Sequence, residues 1–257
     1  GDRWRRESFE PLTDAEKADG YSVAPDGRIL DPKGFPVMAS TSGVIGDPNP
    51  DWSAGIGNRF RYKNLSLDIL WDFRMGGDVW NGTKGALYYF GTHGDQDWTT
   101  TLTPEQASTI RNYLGLTAEE MVAAGYWPVT YRNEDGSYTV RGYIHDFGAG
   151  PVLIDETYFW SGPGSGFTGP TEQFIEDGSY IRLREVTLSY NWRGETVRRL
   201  GLSSIDFAVT GRNLLLITDY TGIDPETNLT GPSNGQGLDF FNNPNTRSYR
   251  FTVRFNY

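Results

Sequence analysis

Residues 248–257 read SYRFTVRFNY. Tyr249, Phe251, Val253, Phe255 and Tyr257 share one parity, and Ser248, Arg250, Thr252, Arg254 and Asn256 share the other. Side chains alternate across a strand, so this period-two pattern predicts a β-strand with one strongly apolar face. Working outward, two adjacent runs repeat it. In 52–62, Trp52, Ala54, Ile56, Phe60 and Tyr62 alternate with Ser53, Gly55, Gly57, Arg59 and Arg61. In 64–74, Leu65, Leu67, Ile69, Trp71 and Phe73 alternate with Ser66, Asp68, Asp72 and Arg74, and Lys63-Asn64 between the runs completes a hairpin pattern. Over 180–192, Val186, Leu188, Tyr190 and Trp192 oppose Glu185, Thr187, Ser189 and Asn191, with a slip near Leu183-Arg184 that suits a bulge. Over 204–213, Ile205, Phe207 and Val209 oppose Asp206, Ala208 and Thr210, and the run Leu214–Leu216 is expected to end that strand.

The fold class is therefore all-β. Strands of about ten residues are long enough to cross a bilayer when tilted, although the strands of soluble sandwiches also alternate. The connections add information. Long segments (1–50, 75–179 and 214–247) alternate with short ones (63–64 and 193–203), as antiparallel neighbours give when one end carries large loops; outer-membrane barrels place such loops outside the cell. Inside 75–179, Thr103-Pro104 with Gln106, Ala107, Ile110 and Leu114 predicts a helix closed by Gly115, and Thr117 opens a second that Gly125 closes. Tyr126–Asn133 and Ser137–Gly142 are expected to pair around Asp135-Gly136, Asp26-Gly27 is a turn signal, and SGPGSGFTGP at 161–170 has the make-up of a mobile loop.

Composition narrows the function classes. The 257 residues carry a net charge of -10, which argues against a nucleic-acid partner, and no cysteine, which excludes disulfides, thiolate metal sites and cysteine catalysis. No apolar run is long enough for a transmembrane helix, which does not exclude a barrel. The chain opens GDRWRRE, without Met or signal peptide, as a mature chain or a piece of a larger one would.

Chemistry-bearing residues are sparse. His93, near Asp95 and Asp97, lacks a second histidine and HExxH spacing, and His145-Asp146 is read as local packing. Asp219, Asp224 and Glu226 lack the loop of an EF-hand, so calcium is a weak reading and no cofactor is expected. Serine-elbow, phosphate-loop and dinucleotide motifs are absent. Asp68 and Asp72 could form a glycosidase pair, or could belong with Arg59, Arg61, Arg74, Glu185, Asp206, Arg250 and Arg254 to one polar face lining a water-filled lumen. Trp80, Tyr88, Tyr89, Trp98, Trp127 and Trp160 are candidates for stacking on a substrate or a lid; packing of large loops accounts for such rings equally.

Several motifs resemble SusC/RagA-type TonB-dependent outer-membrane transporters. Gly211-Arg212-Asn213-Leu214-Leu215, continuing through Asp219, Tyr220, Gly222, Asp224, Pro225 and Glu226, is similar to their hallmark near the C-terminus. Gly46-Asp47-Pro48-Asn49-Pro50, Gly76-Gly77-Asp78-Val79-Trp80-Asn81, the strand at Tyr180–Tyr190 and Pro244–Tyr249 fit in order and spacing. The resemblance implies the last five or so strands of a barrel of about 22 strands. It also implies a plug, energy supplied through the TonB complex, a SusD-like lipoprotein lid and import of glycans, glycan fragments or peptides. The setting would be the outer membrane of a Bacteroidetes-type bacterium, with no catalytic residues. Plug, TonB-binding segment and earlier strands are not in this sequence. Five strands leave two open edges, which cannot sit in lipid, so the chain is expected to pair with remaining barrel strands. Phe251, Val253 and Phe255 would then face lipid, and Tyr257, as the resemblance suggests, would serve barrel assembly. The alternatives are a soluble or surface-exposed carbohydrate-binding or glycan-degrading β protein, and a structural barrel piece with adhesive loops.

Overall fold

The computed structural model describes residues 1–125, 130–229 and 236–257. They form two compact units, one from 46–80 with 176–257 and one from 1–45 with 81–175.

The first unit is built on one antiparallel sheet. Its strands, in chain order, are β1 (Trp52–Tyr62), β2 (Leu65–Met75), β3 (Tyr180–Trp192), β4 (Ser204–Ile217) and β5 (Ser248–Asn256), and their order in space is β5-β4-β3-β2-β1. β1 and β2 pair from Trp52 opposite Met75 to Tyr62 opposite Leu65, across a turn in which Lys63 takes φ +52°. β5 pairs with β4 throughout its length. Aromatic and branched side chains recur on one parity of every strand, and that face is left uncovered: Phe251 is 78% exposed, Phe60 57% and Ile56 50%. In water such a face would be a liability.

β4 extends past the expected stop at Leu214–Leu216. The register of β3 against both neighbours shifts between Leu183 and Glu185, while on β4 it jumps from Arg212 to Leu215. This is a bulge, and Asn213 absorbs it at φ +52°. Beyond it the parity is reset. Leu215 and Ile217 return to the exposed apolar face, Leu216 lies opposite Arg182, and Leu214 folds over Gly211, where a Cβ would lie 2.8 Å from the leucine methyl. Three consecutive leucines therefore mark an irregularity inside a strand, not its end.

The second unit shows that 75–179 is more than a connection. Most of it folds with 1–45 around two buried clusters. Leu102, Ala107, Ile110, Met121, Val140 and Leu153 form one, and Phe35, Val152, Ile154, Tyr158 and Phe159 the other. The helices Pro104–Thr109 and Ala118–Ala123 both begin with a full capping box, on Thr103 with Gln106 and on Thr117 with Glu120. The first stops before Leu114: Ile110 turns extended, which lets Arg111 O accept from Leu153 N–H at 2.9 Å. The pairing around Asp135-Gly136 is Thr130–Arg132 with Tyr138–Val140, and Thr100–Leu102 adds a third strand. The start of that expected hairpin, Trp127 included, lies outside the described residues. Asp26-Gly27 does turn the chain, with Gly27 at φ +84° between Ser22–Val23 and Ile29–Leu30. The 161–170 stretch is no loose loop: residues 162–165 are buried and Gly166 N–H donates to Gly85 O at 2.9 Å. A Cβ on Gly85 would come within 2.9 Å of the Gly166 Cα, so this contact requires glycine on both sides.

Candidate functional site: a cross-braced polar face and a buried ionic latch

Opposite the apolar face, the sheet presents a polar face whose side chains are paired by register. Arg59 lies across from Asp68 and forms an ion pair with it. Glu185 lies across from Arg212, bonded at 2.8 Å. The hydroxyls of Thr187 and Thr210 meet at 2.8 Å. Asp206 accepts from Asn191 and, at 2.8 Å, from Asn256. Arg250 and Arg254 fall on the same face, opposite Thr210 and Asp206, and Arg61 lies opposite Ser66. Opposite-charge and hydroxyl pairs across strands are the stabilising unit of a sheet face. Between β1 and β3 the face forms an open hollow of about 500 Å³, walled by Gly57, Arg59, Asp68, Leu70, Glu185 and Thr187. The two small residues Gly55 and Gly57 leave β1 bare where the neighbouring strands carry charges. Asp68 and Asp72 are both engaged by guanidinium groups, of Arg59 and Arg184.

Toward the other end of β3 the bulge has a specific effect. It places Arg184 beside Glu185 on the polar side, near Arg182. Arg182 is 2% exposed and donates to Asp224 at 2.6 Å; Glu226 lies 3.2 Å from the same nitrogen. Arg184 donates to Glu226 at 2.6 and 2.9 Å and also reaches Asp72. Tyr180 Oη donates to Glu226 at 2.8 Å, and Asn245 to the second Asp224 oxygen at 2.9 Å. Burial pushes the Glu226 carboxyl upward, but the bonds from Arg184 and Tyr180 outweigh it and hold the group below its ordinary range. The hallmark segment is thereby latched onto the end of the sheet.

Its remaining residues serve the same clasp. Tyr220 is buried, with its hydroxyl on Asp239 at 2.7 Å; burial and that carboxylate push the phenol upward. Gly222 leaves room for the Tyr220 ring, which a Cβ would meet at 2.4 Å. Pro225 is buried and Asp219 is exposed. Asn213 donates to Thr246 O at 3.0 Å, and Arg74 to Pro48 O at 2.6 Å. Among the described residues no group of three or more His, Asp or Glu side chains is gathered as a metal site. Sequence reasoning passed over Arg182, Arg184 and Tyr180 as site residues. The signal was present: three polar side chains two apart, on a strand whose neighbour carries Asp72.

The candidate aromatic residues divide by environment. Tyr88 is edge-on to Phe159 and Phe174 and donates to Asp95 at 2.8 Å, and Trp98 stacks on Phe159; both are ring partners in the unit's interior. Trp80 stacks on Phe240 with centroids 6.0 Å apart. Tyr89 meets Phe90 and Phe167, both more than half exposed, and Trp160 is 57% exposed. His93 caps a short turn by accepting from Asp95 N–H at 3.1 Å, and His145 lies edge-on to Phe147.

The chain is similar to several known proteins. TonB-dependent receptor P3 of Formosa agariphila is 28% identical over 211 residues, 80% of this chain. TonB-dependent receptor P26 of the same organism is 26% identical over 247 residues, 91% of the chain. Over most of its length the chain is similar to TonB-dependent receptors. It spans 16% and 20% of the lengths of these two relatives. No family model matches the chain. Two solved structures of the RagAB peptide transporter align with 91% and 99% of it at 18% and 17% identity, with TM-scores of 0.46 and 0.48, over 20% and 22% of their own chains.

Proposed function

We propose that this chain forms part of an energised outer-membrane importer, its polar face lining the interior and its apolar face meeting lipid. One observation carries the reading: a five-stranded sheet with an exposed apolar face, a register-paired polar face and two unpaired edges, β1 and β5. Such a sheet is stable in a membrane only when both edges are closed by further strands. The remaining strands and a plug complete the barrel, the TonB complex acts through that missing part, and a SusD-like lipoprotein covers the outer mouth. The substrate is a glycan fragment or a peptide. Either offers many hydrogen-bonding groups, which suits the carboxylates, guanidinium groups and hydroxyls around the 500 Å³ hollow. The exposed rings of Phe90, Phe167 and Trp160 are contacts for lid or substrate.

Uptake of labelled oligosaccharides and peptides by cells with and without TonB tests this. Uptake that disappears without TonB is expected. Uptake unchanged by that deletion, or a transporter that is monodisperse without detergent, would contradict the reading.

A further inference from the structure

The connection from β3 to β4 reads RGETVRRLGLS over 193–203 and holds a one-turn helix, Glu195–Arg199. Its Val197 is fully buried against Leu202 and Ile205. Ile205 opens β4 on the parity of Phe207 and Val209, the apolar outer side of the sheet. The helix is therefore folded against the outer side of the wall, where a turn serving only to reverse the chain has no need to be. Away from that contact it exposes Leu200, at 67%, together with Arg198 and Arg199, the latter paired with Glu195 at 2.9 Å.

The neighbouring turn is tied to the same end of the sheet, since Asn191 N–H donates to Asn64 O at 2.9 Å. It presents Lys63, whose ammonium lies 5.3 Å from the Tyr62 ring. Neither Lys63 nor Arg198 has a carboxylate partner among the described residues. Next along the outer face come the exposed rings of Tyr62, Tyr190, Trp192 and Phe207, the composition of the belt where hydrocarbon gives way to headgroups. The whole chain carries a charge of -10, yet this corner is basic.

We propose that this corner is a docking surface for anionic phospholipid headgroups of the periplasmic leaflet. The helix lies in the interface with Leu200 turned to the acyl boundary, while Arg198 and Lys63 hold headgroup phosphates. A single turn with one leucine anchors little by itself. The wall supplies the anchoring, and the charges supply selectivity, about five-fold per basic side chain at an anionic surface. The inference rests on the apolar face being lipid-facing.

The test uses the whole transporter in lipid nanodiscs, with a fluorophore on Thr196→Cys, an exposed helix position in a chain without cysteine. Brominated phosphatidylglycerol and brominated phosphatidylcholine are compared as quenchers. Several-fold stronger quenching by the anionic lipid is expected, falling toward equality in Lys63→Gln/Arg198→Gln and unaffected by excess inorganic phosphate. Equal quenching by both lipids in the parent protein, or an unchanged preference in the double variant, overturns the proposal, as does displacement of the anionic lipid by free phosphate. A protein soluble without detergent would overturn the membrane reading itself, and that is seen before any lipid is added.

Discussion

Asp224 shows how much one side chain can hold. It binds Arg182 and Asn245 through its two oxygens and also accepts from Glu226 N–H at 2.9 Å. Removing its charge leaves the Arg182 guanidinium buried without its closest counter-ion. Breaking a buried pair from one side costs about 3–5 kcal/mol, whereas replacing both partners with apolar groups costs far less. Asp224→Ala should therefore lower the unfolding midpoint of the transporter in detergent more than Asp224→Leu combined with Arg182→Met. Equal loss in both would argue against the ionic latch. A second residue gives a pH signature. Burial would raise the Glu172 carboxyl, yet bonds from Arg6 and from Trp4 N–H, the latter 2.9 Å, hold it below its ordinary range. A depressed carboxylate stabilises the fold above its unfolded pKa, near 4.3, and loses that contribution as pH falls through the folded value. The protection factors of the amides at residues 4–6, corrected for intrinsic exchange, should fall on acidification through that window, and Glu172→Gln should remove the dependence.

At the scale of elements, periodicity revealed the strands, because one parity of each is apolar and the other carries pairing groups. It did not reveal the length of β4. Leu214–Leu216 looks unlike a strand only while parity is read straight through, and the bulge that resets it depends on pairing with β3 and on Asn213 in the left-handed region. That conformation costs a branched residue about 1–3 kcal/mol. Asn213→Val should destabilise by that amount in a denaturant titration, while Asn213→Gly should cost less, losing only the bond to Thr246 O. The latch was legible in its residue types but not in its geometry, since it joins Asp72, Arg182 and Asp224 across long separations in sequence. Likewise, the glycines of 161–170 suit a mobile loop until Gly85 supplies the surface they pack on.

For the whole molecule, the apolar face supplies the sharpest test. Val253 lies opposite Phe207 and is half exposed. A Val253→Arg substitution should destabilise the protein in the membrane by less than the roughly 2–4 kcal/mol of a mid-bilayer site, because Val253 pairs with Phe207 near the interface. A membrane unfolding titration showing no loss would remove it from the lipid band.

The connections at one end of the sheet have an evolutionary side. Gly178 N–H donates to Gly77 O at 2.7 Å, and Asp78 N–H donates to Asp47 O at 2.7 Å. The chain thus leaves and re-enters the wall through a clasp no wider than a tight turn, although about a hundred residues intervene between β2 and β3. Strand register is indifferent to what hangs beyond such a clasp. The segment inserted there can be enlarged or rebuilt while the wall keeps its pairing, much as a socket accepts different tools.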